Sequence, residues 1–465
     1  MASDVFFMNE RASALNEAIQ NKAVKVFRDA GLGEIFKPGD TVGIKLHLGE
    51  YGNSLNLRPQ YIRTIVEEIQ RLGGKPQVMD DNTLPFGDMC SRANESDHLR
   101  TAARHGFTEE TMGCPVVIGD GEYGFDDVKV EVPNGVILKH SYMGRKFAEL
   151  DAMIVVTHFK GHPQGVFGGA LKNVGIGCGS KRGKMCTHLL ADPNYGIKSW
   201  TVNQQSVAAM AEGMSPTMLD RAMKGCPYEA LSYANGELSI DRERCANCMC
   251  CLMPALFFGL FRSSADPAVL VTASIADSAT AYINKIGRDK VGFVSYAVDI
   301  TPWCDCVNFH DRVMMPNIGV FASKDPVAID MACLEATETV SAVKGSTADD
   351  LGYSDPGTER FTNVSAMAKV SQWSQVNAGV YNGLGTSEYN LIVSQPAPEM
   401  DFWPKPYTAE NVWGYVHREG LRKGNWTPEL PFRYESPKLS MPELYLKPKG
   451  KAKEMEIGDL VEVTE

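Results

Sequence analysis

Residues 37–82 read strand, helix, strand, and that order constrains the fold more than any other feature of the chain. KPGDTVGIKLHLGE (37–50) is a turn followed by a strand. RPQYIRTIVEEIQRLGG (58–74) is a helix that opens near Pro59 and closes at a glycine pair, and KPQVMDDN (75–82) is a second strand. Apolar strands joined through a helix predict a mostly parallel sheet flanked by helices, an α/β fold. DAMIVVTH (151–158) is the clearest strand, and DVFFMN (4–9) is a shorter one. Further strands are expected near 115–119 and 127–131, over 291–300, and ending at Ser323. Helices are expected over 12–30, with Leu15, Ile19, Val24 and Phe27 inward, near 92–106, over 205–225 and over 274–287. Asp325 and Pro326 are an N-cap and first helical residue for one more helix.

At 465 residues the chain exceeds one small core, and roughly 150 residues per domain argues for several units or one α/β domain with insertions. We expect an α/β domain in two parts, 1–205 and 263–395, an inserted cysteine-rich subdomain over 206–262, and a C-terminal arm over 396–465. The arm holds nine prolines and three tryptophans, too many prolines for regular structure and too many aromatics for plain disorder. It is expected to pack on the body or in a homodimer. No stretch approaches the ~18 apolar residues of a membrane helix, and the first twenty residues lack a signal peptide's basic start and apolar run. A cytoplasmic protein without membrane contact is expected. A net charge of −11 disfavours nucleic acid as a partner.

Cys245, Cys248 and Cys251 give the C-x2-C-x2-C start of a ferredoxin motif, but the fourth position is Ala255. In a two-cluster ferredoxin the fourth cysteine of each motif binds the other cluster. Cys226-Pro227 is the upstream dipeptide that arrangement needs, and Asn235-Gly236 between them is a hairpin turn. All four ligands of one cluster are present, and all four of the other are gone. One [4Fe-4S] cluster on Cys226, Cys245, Cys248 and Cys251 is the reading, with structural zinc as the rival. Cys304 and Cys306 form a second pair, open to a metal or cofactor role or to a plain turn. Cys90, Cys114 and Cys333 are expected as small buried hydrophobes.

After strand 151–158 comes a loop rich in glycine and histidine. Ligands of α/β sheets bind outside the carboxyl ends of strands, where this loop lies. It offers His158 and His162 as ligands or proton carriers, and Lys160 and Lys172 as cations or nucleophiles, with Asn173 beside them. Gly165, Gly168 and Gly169 permit close backbone approach. Other strand ends supply His47, Glu50 and Asn53, and then Asp80, Asp81 and Asn82. The loop matches neither nucleotide-binding glycine motif.

IKLHLGEYGN, DDNTLPFGD, THFKGHPQGVFGGALKNVGIGCGSKRGK, ITPWCDC and IGVFASKDPVAIDMA resemble the successive motifs of the domain-of-unknown-function 362 family over about residues 4–345. The resemblance implies an α/β protein of anaerobic metabolism with a ferredoxin-like insertion and no agreed reaction. It implies His47, Glu50, Asn82, His158, Lys160, His162, Lys172, Asn173, Cys304 and Cys306 as pocket residues; of these we expect His158, Lys160, His162 and Lys172 to be catalytic and the others to bind substrate. The cysteine loss departs from the two-cluster members. The loop is also similar to the His-…-Gly-Gly-x-Lys loop of nickel-pincer lactate racemase, at His162 and Lys172. The expected function is an iron–sulfur oxidoreductase acting on a small molecule or a cofactor, or with a redox partner protein. The alternatives are a racemase- or lyase-like metalloenzyme with a second metal or an organic cofactor at the loop, and an electron-delivering accessory protein.

Overall fold

The computed structural model describes residues 2–85, 90–190, 200–214, 219–220, 223–246, 248, 250–251, 260–262, 268–365, 370–402 and 423. Eight strands build the central sheet: β1 (Ser3–Asn9), β2 (Thr41–Lys45), β3 (Lys75–Asp80), β4 (Val116–Ile118), β5 (Ala152–His158), β6 (Val291–Ala297), β7 (Gly319–Ser323) and β8 (Tyr389–Val393). They lie in the order β8-β1-β7-β6-β5-β2-β3-β4. Only β7, among these eight, runs against its neighbours. The chain steps from β2 outward to β3 and β4, then returns to the other side of β2 with β5 and continues to β6. The order therefore reverses between β2 and β5, and the crevice at such a reversal is where α/β sheets bind ligands.

Continuous apolar strands become buried strands here for a simple reason: both faces are covered. All seven residues of β5 are buried, and side chains alternate between two cores. Met153 and Val155 join one, and Ala152, Ile154 and Val156 join the other. Helices α1 (Ile19–Asp29), α2 (Pro59–Arg71) and α3 (Glu95–Arg104) cover the second face through Val24, Phe27, Ile65, Ile69 and Ala102. The first face is covered by α4 (Ala170–Gly175), α6 (Ala268–Ile286), α7 (Pro326–Glu338) and α8 (Ser374–Tyr381), with α5 (Lys181–Thr187) preceding α6 in the chain. Among the described residues no helix is long and apolar enough to cross a membrane.

The departures from expectation have local causes. Helix α1 begins at Ile19, not near residue 12, and Leu15 is 37% exposed instead of inward. Ser13 donates from its amide and hydroxyl to the Glu17 carboxylate at 2.7 Å, which closes a separate turn ahead of the helix. Helix α6 begins at Ala268, earlier than residue 274, because it is buried nearly all round and lacks the polar face that marks a boundary. Strand β8 was not expected; it is a short edge strand with Leu391 and Val393 outward. Helix α7 starts as expected, with the Asp325 carboxylate accepting from the amides of Val327 and Ala328 at 2.8 and 3.0 Å. Cys114 and Cys333 are buried and Cys90 is half-buried.

Between α5 and α6 the chain leaves the sheet. Leu231–Ala234 and Glu237–Ile240 form an antiparallel hairpin. Its turn residues Asn235 and Gly236 have φ of 54° and 83°, the two positive values that a two-residue hairpin turn matching strand twist requires. The hairpin contributes Leu238 to a small core with Val207, Met210, Leu219, Leu260 and Phe261. Leu84, just past β3, and Leu190, just past α5, pack with Trp200 and Cys245, so this segment sits against the carboxyl edge of the sheet. Residues 1–402 make one compact unit and 403–465 another. The second unit, with Trp403, Trp413 and Trp426, lies outside the described residues apart from Lys423, and so does Ala255.

Candidate functional site

Asp305 organises the carboxyl edge. It lies in the loop after β6, and its carboxylate accepts from His158 Nδ1 at 2.9 Å and pairs with Lys160 Nζ at 2.8 Å. Both partners come from the end of β5, the strand next to β6. Burial pushes this carboxyl up, but His158 and Lys160 outweigh it and hold it well below the usual range. The other ring nitrogen of His158, Nε2, faces the Val298 carbonyl at 2.8 Å. Both nitrogens are occupied, one by the Asp305 carboxylate and one by the Val298 carbonyl. His158 is thus committed to holding the β5 and β6 ends together. The β2 loop joins through its backbone: Glu50 N donates to Asp305 O at 2.8 Å. The Glu50 carboxylate accepts from the Ser91 amide at 2.7 Å and from Arg92 Nε at 3.1 Å. Asn53 Nδ2 donates to the carbonyls of Cys304, Val307 and Phe309, at 3.4, 3.4 and 3.1 Å, and so staples the loop after β6.

A second network sits one layer deeper. Lys45, at the end of β2, pairs with Asp80 Oδ1 at 3.0 Å and donates to Asn173 Oδ1 at 3.0 Å. Asn173 Nδ2 donates back to the Val156 carbonyl and the Thr157 hydroxyl of β5, each at 3.0 Å. Helix α4 is therefore pinned across the β2–β5 reversal. Its N-terminus is capped from another helix: Asp330 of α7 accepts from the amides of Ala170 and Leu171 at 2.6 and 2.9 Å. A Cβ on Gly169 would overlap that carboxylate, so this glycine serves the close approach of a neighbouring side chain. Sequence reasoning missed Lys45, Arg92, Asp305 and Asp330. The available signals were a lysine inside an apolar strand, an aspartate between two cysteines, and an aspartate on an otherwise apolar helix face.

The reacting groups gather at the outer side. Cys304 and Cys306 lie beyond β6, which ends at Ala297, and are joined as a disulfide with Cα atoms 5.3 Å apart. The chain turns after β6, and that turn brings the two cysteines together. The ligand atoms of His162, Cys304 and Cys306 lie within 4.8 Å of one another, a spacing that can hold a metal ion. The histidine tautomer decides how His162 presents itself. Nδ1 accepts from Gly165 N at 2.7 Å and Gln164 N at 3.2 Å, so Nε2 carries the proton and faces Cys306 Sγ at 3.7 Å. His47 repeats the pattern, with Nδ1 accepting from Gly49 N at 3.0 Å. Burial first, and then Lys172 for His162 and Arg92 for His47, push both rings well below the ordinary histidine range. Lys172 is half-buried and has no hydrogen-bond or ion-pair partner among the described residues. Burial and the neighbouring Lys160 push its amine down to about 7. The hairpin carrying Lys160 and His162 is strained at Val166, a β-branched residue at φ 70°.

Asn82 stands apart from this group: its amide donates to Asp120 Oδ1 at 2.9 Å and Gly121 O at 2.8 Å. Beside it, both oxygens of the buried Asp81 carboxylate have no hydrogen-bond partner among the described residues. Burial and repulsion from Asp120 push Asp81 well above the usual carboxylate range, and burial raises Asp120 as well. A raised folded-state value favours the protonated form. Its stabilisation is complete below the ordinary carboxylate value of roughly 3.9 and is lost as pH rises through the raised one. Asp81→Asn should therefore unfold at higher urea than the parent at pH 8, by about 1–3 kcal/mol, with the difference shrinking towards pH 4. A constant difference across that range would contradict the assignment.

In the inserted segment, Cys226, Cys245, Cys248, Cys250 and Cys251 line one cavity with Tyr228, Leu231, Ile240 and Phe261. The hairpin folds Cys226 back onto the other four. Ala230 N donates to Cys226 Sγ at 3.3 Å.

No curated protein matches the sequence. Among solved structures, the lactate racemase apoprotein from Thermoanaerobacterium thermosaccharolyticum aligns with a TM-score of 0.37 and 10% identity, over 73% of this chain and 58% of that one. The family model described as Domain of unknown function (DUF362) matches residues 42–335, from β2 into α7 and through every strand end of the site. The chain belongs to that family.

Proposed function

We propose that the chain is an iron–sulfur oxidoreductase in which Cys226, Cys245, Cys248 and Cys251 hold one [4Fe-4S] cluster that serves reduction at the carboxyl-edge site. The observation that carries this reading is the convergence of Cys226 with the later cysteines on one cavity. Around a single zinc ion, with Zn–S bonds of about 2.3 Å, tetrahedral thiolates stand about 3.8 Å apart. The Sγ atoms of Cys248 and Cys250 stand 3.5 Å apart, so metal and sulfide analysis is what separates zinc from a cluster. A cluster supplies single electrons; the protein supplies the rest. Lys172 attracts an anionic or polarised substrate, His162 Nε2–H faces Cys306 Sγ as a hydrogen-bond donor, and the clamp of Asp305 with His158 and Lys160 fixes the strand ends. Packing of Cys245 against Leu84 and Trp200 keeps the cysteine cavity against the same edge of the sheet.

The racemase- or lyase-like alternative puts a second metal on His162, Cys304 and Cys306, whose spacing favours it. It requires an open disulfide and a free lone pair on Nε2, and the Gly165 amide on Nδ1 opposes the second. One analysis separates the two. Protein purified without oxygen should carry about four iron and four sulfide per chain, bleach with dithionite, and lose both on Cys226→Ser. Zinc alone would overturn the cluster, and a stoichiometric second metal abolished by His162→Gln would favour the alternative.

A further inference from the structure

We propose that Cys304–Cys306 is a redox-active disulfide, the two-electron centre of the site, with His162 Nε2–H as hydrogen-bond donor to Cys306 Sγ. The bond joins residues only two apart. So short a loop removes little freedom from the unfolded chain, so stabilisation does not account for it. Its place does: it lies outside the carboxyl ends of β5 and β6, beside the reversal of strand order. The two sulfurs differ in access. Cys304 is 2% exposed, whereas Cys306 is half-buried and open to attack. The one N–H of the neutral His162 ring is directed at Cys306 Sγ, because two backbone amides occupy its other nitrogen. The loop is also held rigidly, by Asn53 and by the amide of Glu50.

The reaction balances with a dithiol as reductant. One thiolate of the dithiol attacks Cys306 Sγ, the S–S bond breaks, and Cys304 leaves with the electron pair and is protonated. The second thiol of the reductant then attacks the mixed disulfide at its own sulfur and releases Cys306, whose thiolate accepts a hydrogen bond from His162 Nε2–H and takes up the attacking thiol's proton. The reductant's two protons end on the two cysteines, and it departs as a cyclic disulfide. The proposal rests on the iron–sulfur reading only for the physiological electron source, since a two-electron, two-proton pair complements a cofactor that handles single electrons.

The test uses full-length protein purified without oxygen and equilibrated with mixtures of reduced and oxidised dithiothreitol. After acid quench, alkylation and trypsin, the peptide 291–312 reports the pair, because Cys304 and Cys306 are its only cysteines. The expected result is no alkyl group at the oxidising end, two at the reducing end, and one midpoint approached from both directions. His162→Gln should slow reduction roughly ten- to hundredfold while moving the midpoint far less. A pair that stays closed in excess dithiol, or open in excess oxidant, overturns the proposal in the unmodified protein, whatever the variant does. An unchanged rate in a folded His162→Gln protein overturns the role of His162. Iron measured on the same samples separates the two readings. An iron-loaded chain with an inert pair sinks this proposal, and an iron-free chain with a cycling pair sinks the cluster.

Discussion

Replacing Asp305 by alanine is expected to cost about 3–5 kcal/mol of folding stability, the range for removing one partner of a buried ion pair. The carboxylate is 2% exposed and faces the His158 ring and the Lys160 amine, which are themselves buried. Without it, the buried Lys160 amine has no counter-charge and His158 Nδ1 no partner, so water must be drawn in. The pH dependence follows from the depressed value. Asp305 contributes stability above the ordinary carboxylate range and loses it as pH falls through its lowered folded-state value. Asp305→Asn should therefore be weaker than the parent at pH 7 and approach it in strong acid. Urea unfolding at pH 7 and pH 3 reads both statements. A loss under about 1 kcal/mol at pH 7 would mean that the clamp is solvated and contributes little, as exposed pairs do.

Lys45→Met should be comparably severe, and for a reason that also reaches the site. The pair with Asp80 has side-chain exposures of 1% and 3%, so methionine fills the volume and strands a buried carboxylate. Asp80 keeps the amides of Asp81 and Leu48, at 2.9 and 3.2 Å, but loses the positive charge that most lowers it. We expect a loss of about 3–5 kcal/mol, with most of it recovered in the double variant Lys45→Met/Asp80→Asn, since a neutral pair needs no counter-charge. Lys45 also holds Asn173, so the single variant should loosen α4 and speed amide exchange over Ala170–Gly175. An additive double-mutant cycle would show that the two residues do not act as a pair.

Much of this protein was legible before any tertiary contact was known, and the readable parts share a physical character. The sheet and most helix positions follow from local periodicity and punctuation: β5 as an unbroken apolar run, α2 between Pro59 and its glycines, α7 behind Asp325-Pro326. The hairpin in the insert follows from Asn235-Gly236, because its turn demands two positive φ values. The family was legible because its motifs sit at strand ends in a fixed order, and the matching family model spans them. Misplaced boundaries arose where a distant or unusual environment replaced local logic. Helix α6 is buried on nearly every side, and β8 is an edge strand with apolar residues facing out.

The candidate site divides along the same line. Residue types at the carboxyl edge could be named from the sequence because strand ends converge wherever a parallel sheet forms. Which of them act on a ligand and which hold the scaffold could not, since that depends on partners more than a hundred residues away. His158 and His162 look alike in the chain. One is spent between Asp305 and the Val298 carbonyl, and the other keeps an N–H aimed at Cys306. Asp330 lies within the motif IGVFASKDPVAIDMA, but it acquires its role only because α7 packs across the start of α4. Cys304 and Cys306 could be read as ligands or as a turn until the loop after β6 bonded them together. Short-range pattern was enough for the fold class, for the four cysteines that line one cavity and for the edge of the sheet where the candidate residues converge. The tertiary structure alone decided protonation states, charge pairing and the division between scaffold and reactive groups, because those are set by burial and by contacts that only folding creates.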